Sequence, residues 1–150
     1  MIAEHETTRI IAGFEDHSLP SEKFTHFAHL VVGLHSVMRY GLEASIPAMR
    51  DGIKTFNVAK GGQNTDSAGY HETITLFMLH ALDAFWRQQE TAVSFPQLLE
   101  RLQNSALMDR QLMLAFYSQA LLFSTEARLD WVEPDRLPLT ALGRFAFLGG

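Results

Sequence analysis

Apolar residues recur every three or four positions along most of the chain, and this spacing predicts α-helices. The first clear helix lies between Thr25, a suitable N-cap, and Gly41, a suitable C-terminal stop. A second helix is expected to carry Pro47 in its first turn and to end at Gly61 and Gly62. The apolar positions of these two helices are Phe27, Leu30, Val31, Leu34, Val37 and Met38, followed by Ile46, Met49, Ile53 and Phe56.

The third predicted helix runs from about Tyr70 to about Gln89 and is apolar on most of its sides. It has no Asp, Glu, Lys or Arg from Thr73 through Leu82, so we expect it at the centre of a bundle. Almost no segment alternates β-branched and polar residues, so little or no sheet is expected.

Further helices are predicted in the second half of the chain. Ser94 is a cap candidate with Pro96 in the following first turn, and residues 107–123 have the pattern of a long amphipathic helix. A short helix is expected to start at Ser124 or Thr125. Together these elements predict an all-α protein, with residues 1–150 forming a single irregular bundle of five or six helices. Residues 1–18 are expected to be a loose N-terminal segment.

The composition narrows the class of protein. The chain has 150 residues, of which 47% are hydrophobic and 19% charged, as in ordinary globular domains. Its net charge of −5 and scattered Lys and Arg residues argue against a nucleic-acid partner. It has no signal-peptide pattern and no apolar run that could span a bilayer, so a cytoplasmic protein without a membrane partner is expected. Because the chain has no cysteine, any metal would be held by nitrogen or oxygen ligands.

Two polar clusters stand at the starts of otherwise apolar helices. The stretch FTHFAHL contains His26 and His29, which are three residues apart and project from one side of a helix. Gly33, one turn further on, removes the side chain that would keep another helix away from His29. The stretch YHETIT contains His71 and Glu72, which diverge by about 100° on a helix. Side chains of both clusters could therefore reach one cavity.

These residue types suit a metal site. The positive end of a helix dipole disfavours protonated histidine, and neutral imidazole is the form that binds metals or acts as a base. His and Glu side chains from different helices converge on metal sites inside helical bundles. We therefore predict a metal-dependent enzyme or metal-binding protein that uses a divalent transition metal, iron or zinc by preference. The predicted metal ligands are His26, His29, His71 and Glu72; the candidate catalytic residues are Glu72 and His71; the other predicted pocket residues are Tyr70, Thr73, Thr75 and Asn57.

Three alternatives remain open at this stage. The same polar residues could line a metal-free pocket for a small-molecule ligand or substrate. The chain could instead be an interaction protein that forms a homodimer through an apolar helix face. Finally, the polar residues could be structural, with His71 bonded to a backbone carbonyl and Glu72 complementing the helix dipole. The Gly-rich loop from Lys60 to Gly69 is expected to cover a substrate or simply to connect two helices.

The stretches FTHFAHL, FNVAKGGQNTDSAGYHETIT and FSTEARLDWVEPDRLPL resemble segments of a family of small uncharacterised bacterial helical proteins. The resemblance extends from about Leu19 to Leu139. It implies that the residues of the shared pattern belong together, and it brings no activity with it. The pattern T-H-x-x-H-L, F-N, Y-H-E-T-x-T and W-V-x-P-D corresponds here to Thr25, His26, His29, Leu30, Asn57, Tyr70, His71, Glu72, Thr73, Thr75, Trp131, Val132, Pro134 and Asp135.

Overall fold

The structure is a computed structural model and describes residues 4–144. All regular structure in that range is helical, which confirms the predicted all-α class, and five of the helices have nine or more residues. No helix of residues 4–144 has the length and apolar character needed to cross a membrane. The helices are α1 Glu4–Glu15, α2 His26–Tyr40, α3 Leu42–Ala59, α4 Glu72–Arg87, α5 Phe95–Gln103, α6 Met113–Phe116, α7 Gln119–Leu122 and α8 Thr125–Leu129. Turns of 3-10 helix cover Ser21–Lys23, Ala106–Met108, Arg110–Leu112 and Leu139–Arg144.

Helices α2 and α4 form the centre of the molecule. Helix α2 packs against α1, α3 and α4, and α4 also contacts α3 and α8. The α4 side chains Phe77 and Phe85 are fully buried, as its charge-free sequence predicts. A Cβ atom on Gly33 would lie 2.7 Å from Leu82 Cδ1, so the glycine permits the close approach of α2 and α4.

The predicted helix caps are confirmed. The Thr25 hydroxyl accepts a hydrogen bond from the Ala28 N–H (3.2 Å), and Gly41 ends α2 with a φ of +84°. Ser94 begins α5 with a capping box, and Ser124 caps α8. These caps fix where the polar clusters stand relative to the helices.

Helix α3 begins earlier than the sequence predicts. It starts at Leu42, directly after Gly41, so Pro47 lies in its second turn rather than its first. The positive φ of Gly41 turns the chain at once from α2 into α3, which leaves no connecting segment. Pro47 is exposed, and its missing N–H removes only one hydrogen bond on the outer face.

Within the segment of residues 1–18 that was predicted to be loose, Glu4–Glu15 form a packed helix, and residues 1–3 lie outside the described residues. Ile10 and Phe14 of α1 belong to the core, and the Phe14 ring lies 5.1 Å from Phe24 and 5.7 Å from Phe56 between centroids. The prediction was wrong because the apolar face of this segment is narrow and lies among acidic and small residues. Such a helix is stabilised by tertiary packing and not by its local sequence.

The predicted long helix over residues 107–123 is broken into short pieces. The Asp109 carboxylate accepts a hydrogen bond from Gln111 N–H (2.8 Å), and the Ser118 hydroxyl accepts one from Leu121 N–H (3.2 Å). Tyr117 between them is extended, with φ −120° and ψ 140°. Side chains that bond nearby backbone compete with a continuous helix, and two of them interrupt this one.

Candidate functional site

An apolar cavity of about 430 Å3 lies between α2, α3, α4 and the segment from Arg110 to Phe123. Its volume is in the range of small-molecule sites. Its polar side chains are few. The lining residues are His26, His29, Gly33, Met49, Ile53, Ile74, Thr75, Met78, Leu79, Leu82, Arg110, Gln111, Met113, Leu114, Leu122 and Phe123.

A second, more polar cavity of about 780 Å3 adjoins the first. Its wall includes four of the residues that the sequence predicts for a site, besides His29: Asn57, Tyr70, His71 and Thr75. We call the two spaces the apolar cavity and the polar cavity. They share the lining residues His29, Ile53, Ile74, Thr75 and Arg110.

His71 is the N-cap of α4, and both of its ring nitrogens form hydrogen bonds with backbone groups. Nδ1 accepts a hydrogen bond from the Ile74 N–H (3.1 Å), and Nε2 lies 2.8 Å from the Leu122 carbonyl oxygen. Because a carbonyl can only accept, Nε2 carries the proton and the ring is neutral. Burial is the main cause that lowers the pKa of His71, and it outweighs the bond to Leu122.

His26 and His29 are each tied to backbone through one nitrogen. His26 Nε2 donates to the Leu107 carbonyl (2.8 Å), and His29 Nδ1 donates to the Thr25 carbonyl (2.8 Å). The His29 ring also stacks on Phe24 with centroids 3.6 Å apart. In the neutral rings these bonds leave a lone pair on Nδ1 of His26 and on Nε2 of His29.

The electrostatic surroundings of His29 favour its neutral form. Burial lowers the pKa of His29, and its bond to Thr25 offsets this effect in part. Electrostatic interactions with His26 and Arg110 lower the pKa of His29 further.

Glu72 is held in an ion pair with Arg50, in a cleft that none of the described histidines lines. Arg50 donates from Nε to Oε1 (2.9 Å) and from a terminal nitrogen to Oε2 (2.5 Å), and the Tyr70 hydroxyl donates to Oε1 (2.7 Å). Burial by itself would raise the pKa of Glu72, but these bonds outweigh it and hold the pKa below its usual value. A carboxylate with both oxygens so occupied is a weak general base.

The remaining predicted pocket residues support the architecture around the polar cavity. The Asn57 side chain donates to Asn64 Oδ1 (2.9 Å), which also accepts from the Tyr70 N–H (3.0 Å). Thr73 is fully buried and lines neither cavity. Its hydroxyl donates to the Asp130 carbonyl (2.8 Å) and accepts from the Val132 N–H (3.1 Å), so it joins α4 to the chain after α8.

The structure thus separates the predicted site into two parts. His29, His71 and Thr75 share the wall of the polar cavity, and His26 lines the neighbouring apolar cavity. Glu72 lies instead in a small cleft with Arg50 and Tyr70. Within residues 4–144, no group of three or more His, Asp or Glu side chains is placed to hold a metal ion. The metal set therefore stays a prediction.

Several lining residues were missed by the sequence analysis. Met49, Met78 and Met113 have the spacing of ordinary core residues, and nothing in the pattern distinguishes a cavity wall from a filled core. Arg110 was placed inside a continuous helix. The sequence did contain one signal: Arg110 is a charged residue among the apolar residues of LMDRQLML, and such a residue can lie at the edge of an interior cavity.

Comparisons with known proteins bring no relative. A scan of family models finds no match, and searches of curated proteins and of solved structures find none either.

Proposed function

We propose that this protein binds a small, largely apolar organic molecule without a metal. The observation that carries the proposal is the apolar cavity, which has the volume and the predominantly apolar wall of a ligand site. His29, Thr75 and Arg110 line both cavities and supply polar groups that can orient the ligand.

The hydrogen bonds of His71 and Glu72, two of the four predicted metal ligands, support this choice. Coordination by His71 would require the loss of either its cap on α4 or its bond to Leu122. Coordination by Glu72 would require the loss of bonds to Arg50 and Tyr70. A ligand in the apolar cavity requires neither change.

The proposal is tested by isothermal titration of metal-stripped protein with methyl decanoate, together with elemental analysis of the untreated protein. We expect saturable binding by stripped protein, because burial of the alkyl chain in the cavity drives association. As a steric variant, Leu114→Trp puts a large ring into the cavity wall and should abolish binding. Leu129→Trp, at an exposed position outside both cavities, is the matched control and should bind as the parent does.

Two results would contradict the proposal. One is the absence of binding up to the solubility limit of the probe. The other is a stoichiometric transition metal in the untreated protein that is lost on His26→Ala or His29→Ala and is required for ligand binding, which would restore the metal hypothesis.

A further inference from the structure

We propose that the ligand is an amphipathic anion, with a carboxylate head that pairs with Arg110 and an apolar tail in the apolar cavity. This inference rests on the proposed binding function and specifies its ligand class and the residue that selects it.

The charges around the cavities differ from those of the whole chain. The protein has 17 acidic against 12 basic residues and a net charge of −5. Among residues 4–144, no Asp or Glu lines either cavity, whereas Arg110 lines both and Lys60 lines the polar one. In an acidic protein, this local excess of positive charge is complementary to an anion.

Arg110 is free to take such a partner. Within the described part of the chain, the only ion pairs formed by arginines are Arg50 with Glu72 and Arg87 with Asp83. Arg110 belongs to the 3-10 turn Arg110–Leu112, whose N-cap Asp109 uses its carboxylate on the Gln111 N–H instead. A guanidinium offers paired donors that match the two oxygens of a carboxylate.

The wall beyond Arg110 suits an unbranched alkyl tail. Met49, Met78 and Met113 contribute flexible thioether side chains that adapt to a chain of variable shape. Leu79 and Leu82 continue the apolar wall next to Gly33. Each methylene that enters this space should strengthen binding by about fourfold, until the cavity is full.

The test compares decanoate with methyl decanoate, which has the same tail and no charge, on three proteins: the parent, Arg110→Met and Arg9→Met. Arg9 lies on the exposed side of α1 outside both cavities, so its replacement changes the net charge equally without touching the site. We expect the parent and Arg9→Met to bind decanoate about threefold more tightly than the ester, since an ion pair with an exposed arginine such as Arg110 contributes on this scale.

Arg110→Met should lose that preference and keep its affinity for the ester, which also shows that the variant is folded. Raising the salt concentration should weaken the binding of decanoate and leave that of the ester unchanged. Equal affinity of the parent for acid and ester would overturn the head-group inference while leaving the binding function intact. An acid preference that survives in Arg110→Met would overturn the role of Arg110. Binding of neither probe would overturn the binding function itself.

Discussion

His71 joins two segments that are 51 residues apart in the chain. Its Nδ1 caps α4, and its Nε2 holds the carbonyl of Leu122 at the end of α7. The bond at Nδ1 requires a neutral ring with its proton on Nε2, so a proton added to Nδ1 would remove the cap, whereas the bond from Nε2 would remain. The imidazole is therefore a structural connection at the wall of the polar cavity.

This role has a consequence for the pH dependence of stability. The pKa of His71 is lowered in the folded protein. Below about pH 6.5, His71 therefore binds a proton in the unfolded chain but stays neutral in the folded protein. The free energy of unfolding should then fall as the pH drops from 6.5 toward the folded pKa. His29 and His80, whose pKa values burial also lowers, act with the same sign.

Replacing His71 by Asn should make that pH dependence shallower. Asn keeps a cap on α4 but does not titrate, so the slope between pH 8 and 5 should decrease by at most about 1.4 kcal/mol per pH unit, the value for one proton. Urea denaturation at several pH values measures the slope.

His71→Ala is the companion variant, because it removes the titration and the cap together. It should be less stable than His71→Asn at pH 8 by about 1 kcal/mol. An unchanged slope in both variants would show that His71 does not titrate as the structure implies.

At the scale of elements, the loop from Lys60 to Gly69 is fixed by side-chain hydrogen bonds at its middle and at its C-terminal end. Asn64 donates to the Lys54 carbonyl and accepts from Asn57 and from the Tyr70 N–H. Arg128 of α8 donates to the Gly69 carbonyl (2.8 Å). These bonds favour a fixed loop over a mobile cover. Five residues of the loop nevertheless line the polar cavity, namely Lys60, Gly62, Gln63, Ala68 and Gly69.

Gly69→Ala should destabilise the protein more than Gly61→Ala. Both glycines have positive φ, +82° and +87°, which costs a non-glycine residue about 1 kcal/mol or more. At Gly69 the added Cβ would also overlap the Gln63 carbonyl oxygen, whereas at Gly61 it meets open space. We expect Gly69→Ala to lose at least twice the unfolding free energy lost by Gly61→Ala, measured by urea denaturation. Equal losses would contradict this geometry of the loop.

The sequence predicts a helix well where its local features all indicate the same structure. The caps Thr25, Ser94 and Ser124 are local, and the charge-free stretch of α4 leaves few options other than burial. The sequence-based prediction is wrong for residues 107–123. There the apolar spacing favours one continuous helix, but the hydrogen bonds of Asp109 and Ser118 to nearby backbone and the burial of Tyr117 interrupt it. The Tyr117 hydroxyl donates to the Val132 carbonyl (2.7 Å), a partner that no local pattern reveals.

The same distinction holds for the site. The polar residues at the start of α4 could be identified, because histidine and glutamate beside an apolar helix are conspicuous. Their roles could not, because His71 bonds to Leu122 and Glu72 to Arg50, both far away in the chain. His71 and Glu72 are adjacent in the chain, yet Glu72 lies in a different cleft from His71. This separation is visible only in the folded structure.

At the scale of the whole molecule, the apolar cavity is the central feature of the account. It is bounded by α2, α3, α4 and the irregular segment from Arg110 to Phe123. The breaks in that segment place Arg110 at the junction of the two cavities instead of on a regular helix face. The residues that interrupt the helix in this segment therefore also form part of the proposed ligand site.

The most direct measurement is methyl NMR of metal-stripped protein with 13C-labelled methionines, titrated with decanoate. Three labels, on Met49, Met78 and Met113, lie in the wall of the apolar cavity, and Met38 and Met108 line neither cavity and serve as internal controls. The account predicts saturable shifts of the three cavity methyls, with the two control methyls unmoved. Unchanged cavity methyls up to the solubility limit, or shifts that occur only after a metal is added, would contradict it.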